Sequence, residues 1–207
     1  MDYLRDPDAI YRQSFANITA EADLDRFSDL ERQVATRIIH SSGMIDIAND
    51  LVFSSGAVNA GVEALRAHAP ILCDVHMVKH GIIARYLQGN DVGVAIAADA
   101  ARVEADRLST TLSAGGMEAL RHTFAGAVVA IGNAPTALFH LLEGLESGWP
   151  APALVLGFPV GFVGAEESKA ALMANDIGLS FIALSGRRGG SAMAAAAVNA
   201  LLIEAAR

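Results

Sequence analysis

Arg37 and His40 are the two side chains whose types and spacing most favour proton-transfer chemistry. They lie three residues apart at the end of an apolar helical pattern, so one helix face would carry a guanidinium next to an imidazole. An imidazole gains and loses a proton near neutral pH and is the commonest general acid or base. A helix C-terminus favours the protonated ring, whereas a neighbouring arginine and burial oppose it. His40 is therefore the candidate proton donor, although helix-end histidines are more often structural.

Three glycine-bearing loops form a second candidate site, one for binding a ligand. Each follows an apolar run that predicts a buried strand, and the loops span residues 132–135, 157–161 and 186–191. In open α/β sheets ligands bind at the carboxyl ends of the strands, where glycine lets backbone N–H groups come close to them. Asn133, Ala134, Gly190 and Ser191 are therefore candidate binding residues. Strand-to-helix connections without a ligand explain the glycines of these loops about equally well.

A possible metal cluster around residue 75 is incomplete. It would contain Cys73, Asp74, His76 and His80. Only the two histidines share a helix face by their spacing, and no further Cys or His pair completes a zinc pattern. We therefore expect no metal site.

The elements that must position these residues alternate between strands and helices from residue 70 onward. Five apolar runs predict strands, at 70–74, 91–97, 127–131, 153–157 and 180–186. Helical patterns lie between and after them, at 100–108, 113–125, 135–146, 164–174 and 191–206. Before residue 70 only helical patterns are found, at 7–18, 26–39, 44–49 and 55–67. The sequence thus predicts an α/β fold with a mostly parallel five-stranded sheet, helices on both faces and a helical N-terminal cover.

Composition and charge restrict the class of protein. The chain has 207 residues without a linker or repeat, which predicts one domain over 1–207. Hydrophobic residues make up 53%, which predicts a large core and favours an oligomer. The net charge of −8 argues against general binding of nucleic acid. A polar start, the lack of any apolar run of membrane-spanning length and the single Cys73 favour a cytoplasmic protein without membrane association.

Six segments of the sequence, taken together, resemble the precorrin-8X methylmutases. The segments are 8–15, 37–43, 69–74, 128–139, 157–169 and 186–193. Two of them are long, all occur in order, and the resemblance extends from near residue 5 to near residue 200.

The resemblance implies an isomerase of aerobic cobalamin biosynthesis, which moves a methyl group from C-11 to C-12 of precorrin-8X and forms hydrogenobyrinate. It also implies a cytoplasmic homodimer that needs no metal or organic cofactor and could hand its tetrapyrrole product to the next enzyme of the pathway. The family's catalytic histidine falls on His40, and its substrate-binding serine and arginine fall on Ser14 and Arg37. Leu112 stands where members carry an arginine of the active site, and Arg107 and Arg121 are the candidates to replace that arginine.

Two other functions remain open at this point. A non-catalytic carrier would bind a tetrapyrrole and pass it on unchanged. A nucleotide-dependent oxidoreductase is suggested only by the presence of the glycine-bearing loops. The spacing of their glycines matches neither the dinucleotide fingerprint nor the Walker A pattern, so this support is weak.

Overall fold

The computed structural model describes residue 1 and residues 3–207. Its centre is one sheet of six strands, in the order β1-β6-β5-β4-β2-β3. The strands are β1 (Leu51–Phe53), β2 (Ile71–Cys73), β3 (Val92–Val94), β4 (Val128–Ile131), β5 (Leu154–Gly157) and β6 (Phe181–Leu184). All neighbours run parallel except β1, which is antiparallel to β6. The predicted α/β class and mostly parallel sheet are confirmed, with one strand more than the five predicted.

The additional strand, β1, lies within the region that the sequence predicted to be entirely helical. Leu51 pairs with Leu184 and Phe53 with Ile182. Only three residues take part, and helices lie on both sides of them in the sequence. So short a run shows no alternation of its own, and tertiary pairing to the edge of the sheet decides its conformation.

Nine α-helices surround the sheet in the described part of the chain. They are α1 (Pro7–Glu21), α2 (Asp29–Ser42), α3 (Ala57–Arg66), α4 (His76–Gly81), α5 (Ala101–Leu108), α6 (Leu112–Ala119), α7 (Pro135–Glu146), α8 (Ala165–Met173) and α9 (Ser191–Ala205). The prediction missed α4, which is six residues long. Short 3-10 helices occupy Ile45–Asn49 and Ala95–Ala97, where the sequence predicted a helix and the end of a strand.

Strand residues alternate between two apolar cores, one on each face of the sheet. Val128 and Ala130 join the core under α2, α3 and α9, whereas Val129 and Ile131 join the core under α7. This alternation is the two-residue period of a strand, and burial on both faces explains why the strands read as unbroken apolar runs. None of the helices in the described residues is long and apolar enough to cross a membrane.

The ends of α2 are fixed by local sequence signals. Ser28 and Glu31 form a capping box at its start, in which each side chain bonds the other residue's backbone N–H. Gly43 ends the helix in the left-handed conformation with φ of 68°, which favours glycine. These two signals set the length of α2 and place His40 in its last turn.

Candidate active site

His40 and Ser14 meet where α1 packs against α2. The Oγ atom of Ser14 lies 2.8 Å from Nδ1 of His40. α1 begins at Pro7, with the side chain of Asp6 accepting the N–H of Asp8 as a cap. The resemblance assigned Ser14 and His40 to one site, and the structure brings them together across 26 residues of chain.

Two aromatic rings of α1 flank the imidazole. Tyr11, Ser14 and Phe15 have helical spacing, so they share one face of α1. The His40 ring centroid lies 5.1 Å from that of Tyr11 and 5.4 Å from that of Phe15, with the Phe15 ring edge-on. Cζ of Arg37 lies 5.3 Å from the Phe15 centroid, which is a cation–π distance. One face of α1 therefore orients both candidate side chains of α2.

A cleft of about 240 Å³ opens beside this cluster. Arg37 and His40 line it, together with Tyr11, Tyr86 and, on α9, Ala192, Ala195 and Ala196. The alanines make the α9 side of the cleft apolar and free of bulky side chains, because their side chains are single methyl groups. A fixed cation, an imidazole held by a hydroxyl and an apolar wall together suit an anionic ligand with a flat apolar body.

The sequence profile of the family described as "Precorrin-8X methylmutase" matches residues 9–204 of the chain. The chain belongs to this family. It is 53% identical over 206 residues to a precorrin-8X methylmutase of Pseudomonas aeruginosa, with 99% of each chain covered. It is 36% identical to a cobalt-precorrin-8 methylmutase of Priestia megaterium, covering 95% of this chain and 88% of the relative.

The fold agrees with a solved member of the methylmutase family. The crystal structure of a precorrin-8X methylmutase from Thermus thermophilus superposes with a TM-score of 0.88 at 38% identity, covering 96% of each chain. The family consists of isomerases, which agrees with a site built from acid–base and binding groups.

The methylmutase loop after β4 uses its backbone N–H groups inside the protein. The buried carboxylate of Asp74 accepts the N–H groups of Gly132, Asn133 and Ala134 at 3.1, 2.8 and 2.9 Å. Burial raises the pKa of Asp74, and these hydrogen bonds partly offset the effect. Asn133 and Ala134 are thus bound to Asp74 through their backbones and do not line the cleft at His40. The sequence alone does not connect Asp74 with this loop, since the two are about 58 residues apart.

The other two glycine-bearing loops pack on each other. Gly190 donates its N–H to the carbonyl of Phe158 at 2.8 Å. A Cβ on Gly189 would lie 2.4 Å from that same oxygen, so only glycine allows this approach. Ser191 begins α9, and Ala192 directly after it lines the cleft, whereas Gly190 and Ser191 themselves do not.

Asn199 is a buried polar residue of the site that sequence reasoning missed. Its Oδ1 accepts the N–H of Ile83 at 2.8 Å, and its Nδ2 donates to the carbonyl of Gly81 at 2.9 Å. Asn199, Gly81 and Ile83 all line the cleft. A polar residue in the middle of an alanine-rich apolar run was the signal that could have pointed to it.

Leu112 stands where family members carry an arginine of the active site. The two arginines considered as its replacement do not line the His40 cleft. Arg121 and Arg107 both pair with the carboxylate of Glu118, which also accepts from Nε2 of His140 at 2.9 Å. Burial acts to raise the pKa of Glu118, but the bonds from His140 and Arg121 hold it below its usual range. Both arginines serve this network between α5, α6 and α7.

Two residues of the possible metal cluster are buried, and the other two are exposed. Burial raises the pKa of the Cys73 thiol to about 12, and Asp74 is engaged by the loop described above. The exposed rings of His76 and His80 stack with centroids 5.9 Å apart. Among the described residues, no three His, Cys, Asp or Glu side chains are grouped so that they could hold a metal ion.

Proposed function

We propose that this chain converts precorrin-8X to hydrogenobyrinate by moving a methyl group from C-11 to C-12 of the macrocycle, in aerobic cobalamin biosynthesis. The observation that carries the proposal is the Ser14–His40 hydrogen bond at the edge of a cleft that also contains Arg37. Relatives named for precorrin-8X share 53% and 50% identity with this chain, whereas one named for cobalt-precorrin-8 shares 36%. This difference favours the metal-free substrate.

The proposed role of His40 is to lend a proton to the macrocycle and take it back. The methyl shift leaves the composition of the substrate unchanged, so every proton given must return. In the protonated ring, Nδ1–H donates to Oγ of Ser14, which leaves Nε2–H to face the substrate. Transfer of that proton to a ring nitrogen or an adjacent carbon makes the conjugated system electron-poor and eases the migration. General acid catalysis of this kind contributes about 10²- to 10⁴-fold.

Ser14 has a positioning role in this proposal. Because its hydroxyl can accept from Nδ1–H before and after the transfer, the imidazole stays in one orientation and one tautomer. Arg37 binds a carboxylate of the substrate, since a guanidinium forms paired hydrogen bonds with a carboxylate. The alanine wall of α9 receives the flat ring.

The candidate binding residues of the glycine-bearing loops act indirectly in this proposal. Asn133 and Ala134, held by Asp74, belong to the loop that approaches the first turn of α9 at Gly132, and Gly190 and Ser191 form the start of α9. Their role is then to fix the alanine wall beside His40.

Homodimer formation, a cytoplasmic location and hand-over of the product to the next enzyme complete the proposal. Large apolar side chains that a partner would cover are exposed, with Phe162 at 86% and Val163 at 87%. A reduced buried thiol at Cys73 agrees with a cytoplasmic location. Light scattering at micromolar concentration is expected to give twice the monomer mass of 21.5 kDa, and a monomer mass would contradict the dimer.

The test of the chemistry is single-turnover conversion of precorrin-8X, followed by the change of its absorption spectrum to that of hydrogenobyrinate. His40→Ala should bind the macrocycle and lose on the order of 10²-fold or more in rate. His80→Ala is the matched control, because His80 is also an exposed helical histidine but does not line the cleft. A His40→Ala variant with wild-type rate would exclude the proton-transfer role. A wild-type protein that binds precorrin-8X without changing its spectrum would instead be a carrier.

A further inference from the structure

A second cleft opens beside Arg37, farther along the groove between α1 and α2. Its volume is about 380 Å³. Three arginines line it, namely Arg32, Arg37 and Arg207, and the threonines at 19 and 36 contribute hydroxyl groups. No acidic residue of the described chain contributes to this lining, although the chain as a whole carries a net charge of −8. The cleft is therefore a local positive site on an acidic protein.

The arginines of this cleft differ in what they contact. Arg207 donates to Gln33 and Glu204 at 2.8 and 2.9 Å. Arg37 lies over the ring of Phe15. Nε of Arg32, by contrast, is buried and finds no hydrogen-bond partner among the described residues. A buried donor without an acceptor is rare in native proteins, so Arg32 lacks an acceptor that a ligand could supply.

The expected ligand is too large for the cleft at His40 alone. The cleft at His40 measures about 240 Å³, whereas pockets for drug-sized molecules measure roughly 300–1,000 Å³. A tetrapyrrole with its carboxylate side arms is larger than such molecules, so it must extend beyond this cleft. Arg37 lines both clefts, which makes the arginine-lined cleft a direct continuation.

We propose that Arg32 binds a carboxylate side arm of the macrocycle whose reacting part lies at His40. This inference rests on the proposed function. Arg32 and Arg37 are five residues apart on α2, which corresponds to about 7.5 Å along the helix axis. Two side arms of one tetrapyrrole can span that distance, so one carboxylate would meet Arg37 while the next meets Arg32. When the Arg32 side chain turns so that its buried Nε faces the cleft, the carboxylate also satisfies that donor, because a guanidinium can donate through Nε and one Nη to the two oxygens together.

The experiment measures the dissociation constant of hydrogenobyrinate by absorbance titration. Arg32→Gln should weaken binding about 10-fold or more, because a buried charge-assisted hydrogen bond is lost. Its KM for precorrin-8X should rise by a similar factor, with kcat little changed. Arg102→Gln is the matched control, since Arg102 is an exposed helical arginine of α5 that lines neither cleft. Its dissociation constant should stay within about twofold of wild type.

Stability separates binding from a structural role. Arg32→Gln should unfold at the same denaturant concentration as wild type or a higher one, because an unsatisfied buried donor has been removed. Arg32→Lys should recover only part of the affinity, since an ammonium keeps the charge but lacks the planar fork. Wild-type affinity in Arg32→Gln, equal weakening in Arg102→Gln, or lost stability in Arg32→Gln would each overturn the inference. Failure of the proposed function itself would look different, because the wild-type protein would then not convert precorrin-8X.

Discussion

Asp74→Asn tests whether one buried carboxylate organises the loop after β4. One Asp74 oxygen accepts the N–H of Gly132, and the other accepts those of Asn133 and Ala134. Asparagine has nearly the same shape but only one oxygen, and its amide nitrogen is a donor. Whichever way the amide is turned, its NH₂ group must face at least one backbone N–H.

The cost of this substitution follows from the orientation that loses least. With its oxygen toward Asn133 and Ala134, the variant keeps two hydrogen bonds and leaves the buried N–H of Gly132 against an NH₂ group. A buried donor without an acceptor costs about 1–3 kcal/mol. The two remaining bonds also weaken because their acceptor is no longer charged. Relief from burying the charge, which raises the pKa of Asp74, offsets part of this. We expect a net loss of about 2 kcal/mol for Asn and about 4 kcal/mol for Asp74→Ala, which leaves all three donors unpaired.

The assay is chemical denaturation at pH 7, with the free energy of unfolding taken from the transition. Asp99→Asn is the control, because Asp99 is exposed and its substitution removes the same charge from the surface. The order wild type, Asn, Ala in decreasing stability is the expected result. An Asp74→Asn variant as stable as wild type would show that the three N–H groups do not depend on the carboxylate, and the account of the loop would be wrong.

Two further predictions concern stability. Lys169 is fully buried and donates to the carbonyl of Arg188, and burial lowers its pKa to about 8. The unfolded chain, with a lysine pKa of about 10.4, then binds more protons between these values, so the unfolding free energy of wild type relative to Lys169→Met should rise by about 2 kcal/mol from pH 7 to pH 9.5. A difference independent of pH, from denaturation at both values, would contradict this. Gly132→Ala should lose about 1–3 kcal/mol in the same assay, because its Cβ would lie 2.7 Å from both Ser191 Cα and Val78 Cγ2. Wild-type stability would show that α9 can shift to make room.

The sheet and most helices could be predicted because their residues repeat with clear periods or form unbroken apolar runs. The strands at β2, β4, β5 and β6 are buried on both faces, which is what an unbroken run indicates. Two elements escaped prediction for the same physical reason. β1 and α4, with three and six residues, are too short for a period to show, and contacts with the rest of the protein hold them in place.

The candidate site divides in a similar way. Arg37 and His40 could be placed on one helix because their spacing is local. The pairing of Ser14 with His40 came from the resemblance, and only the packing of α1 on α2 gives it a distance. The partners of Asp74, Asn199 and Arg32 could not be read from the sequence, because each depends on which groups of distant segments come to face it. The role of a buried polar group depends on which groups of distant segments the fold places beside it, and the sequence does not show those neighbours.

The position of the cleft refines the rule that ligands of open α/β sheets bind at the carboxyl ends of the strands. In this protein the N–H groups of the loop after β4 bind Asp74, and the loops after β5 and β6 bind each other. These loops lie against the start of α9 at Ser191, and the next two turns of α9 carry the alanines and Asn199 that line the cleft. The rule therefore locates the loops that support the proposed site, and the cleft itself lies along α9. Such an arrangement suits a broad macrocycle, because a groove between helices is open along its length, whereas a crevice between strand ends is narrow.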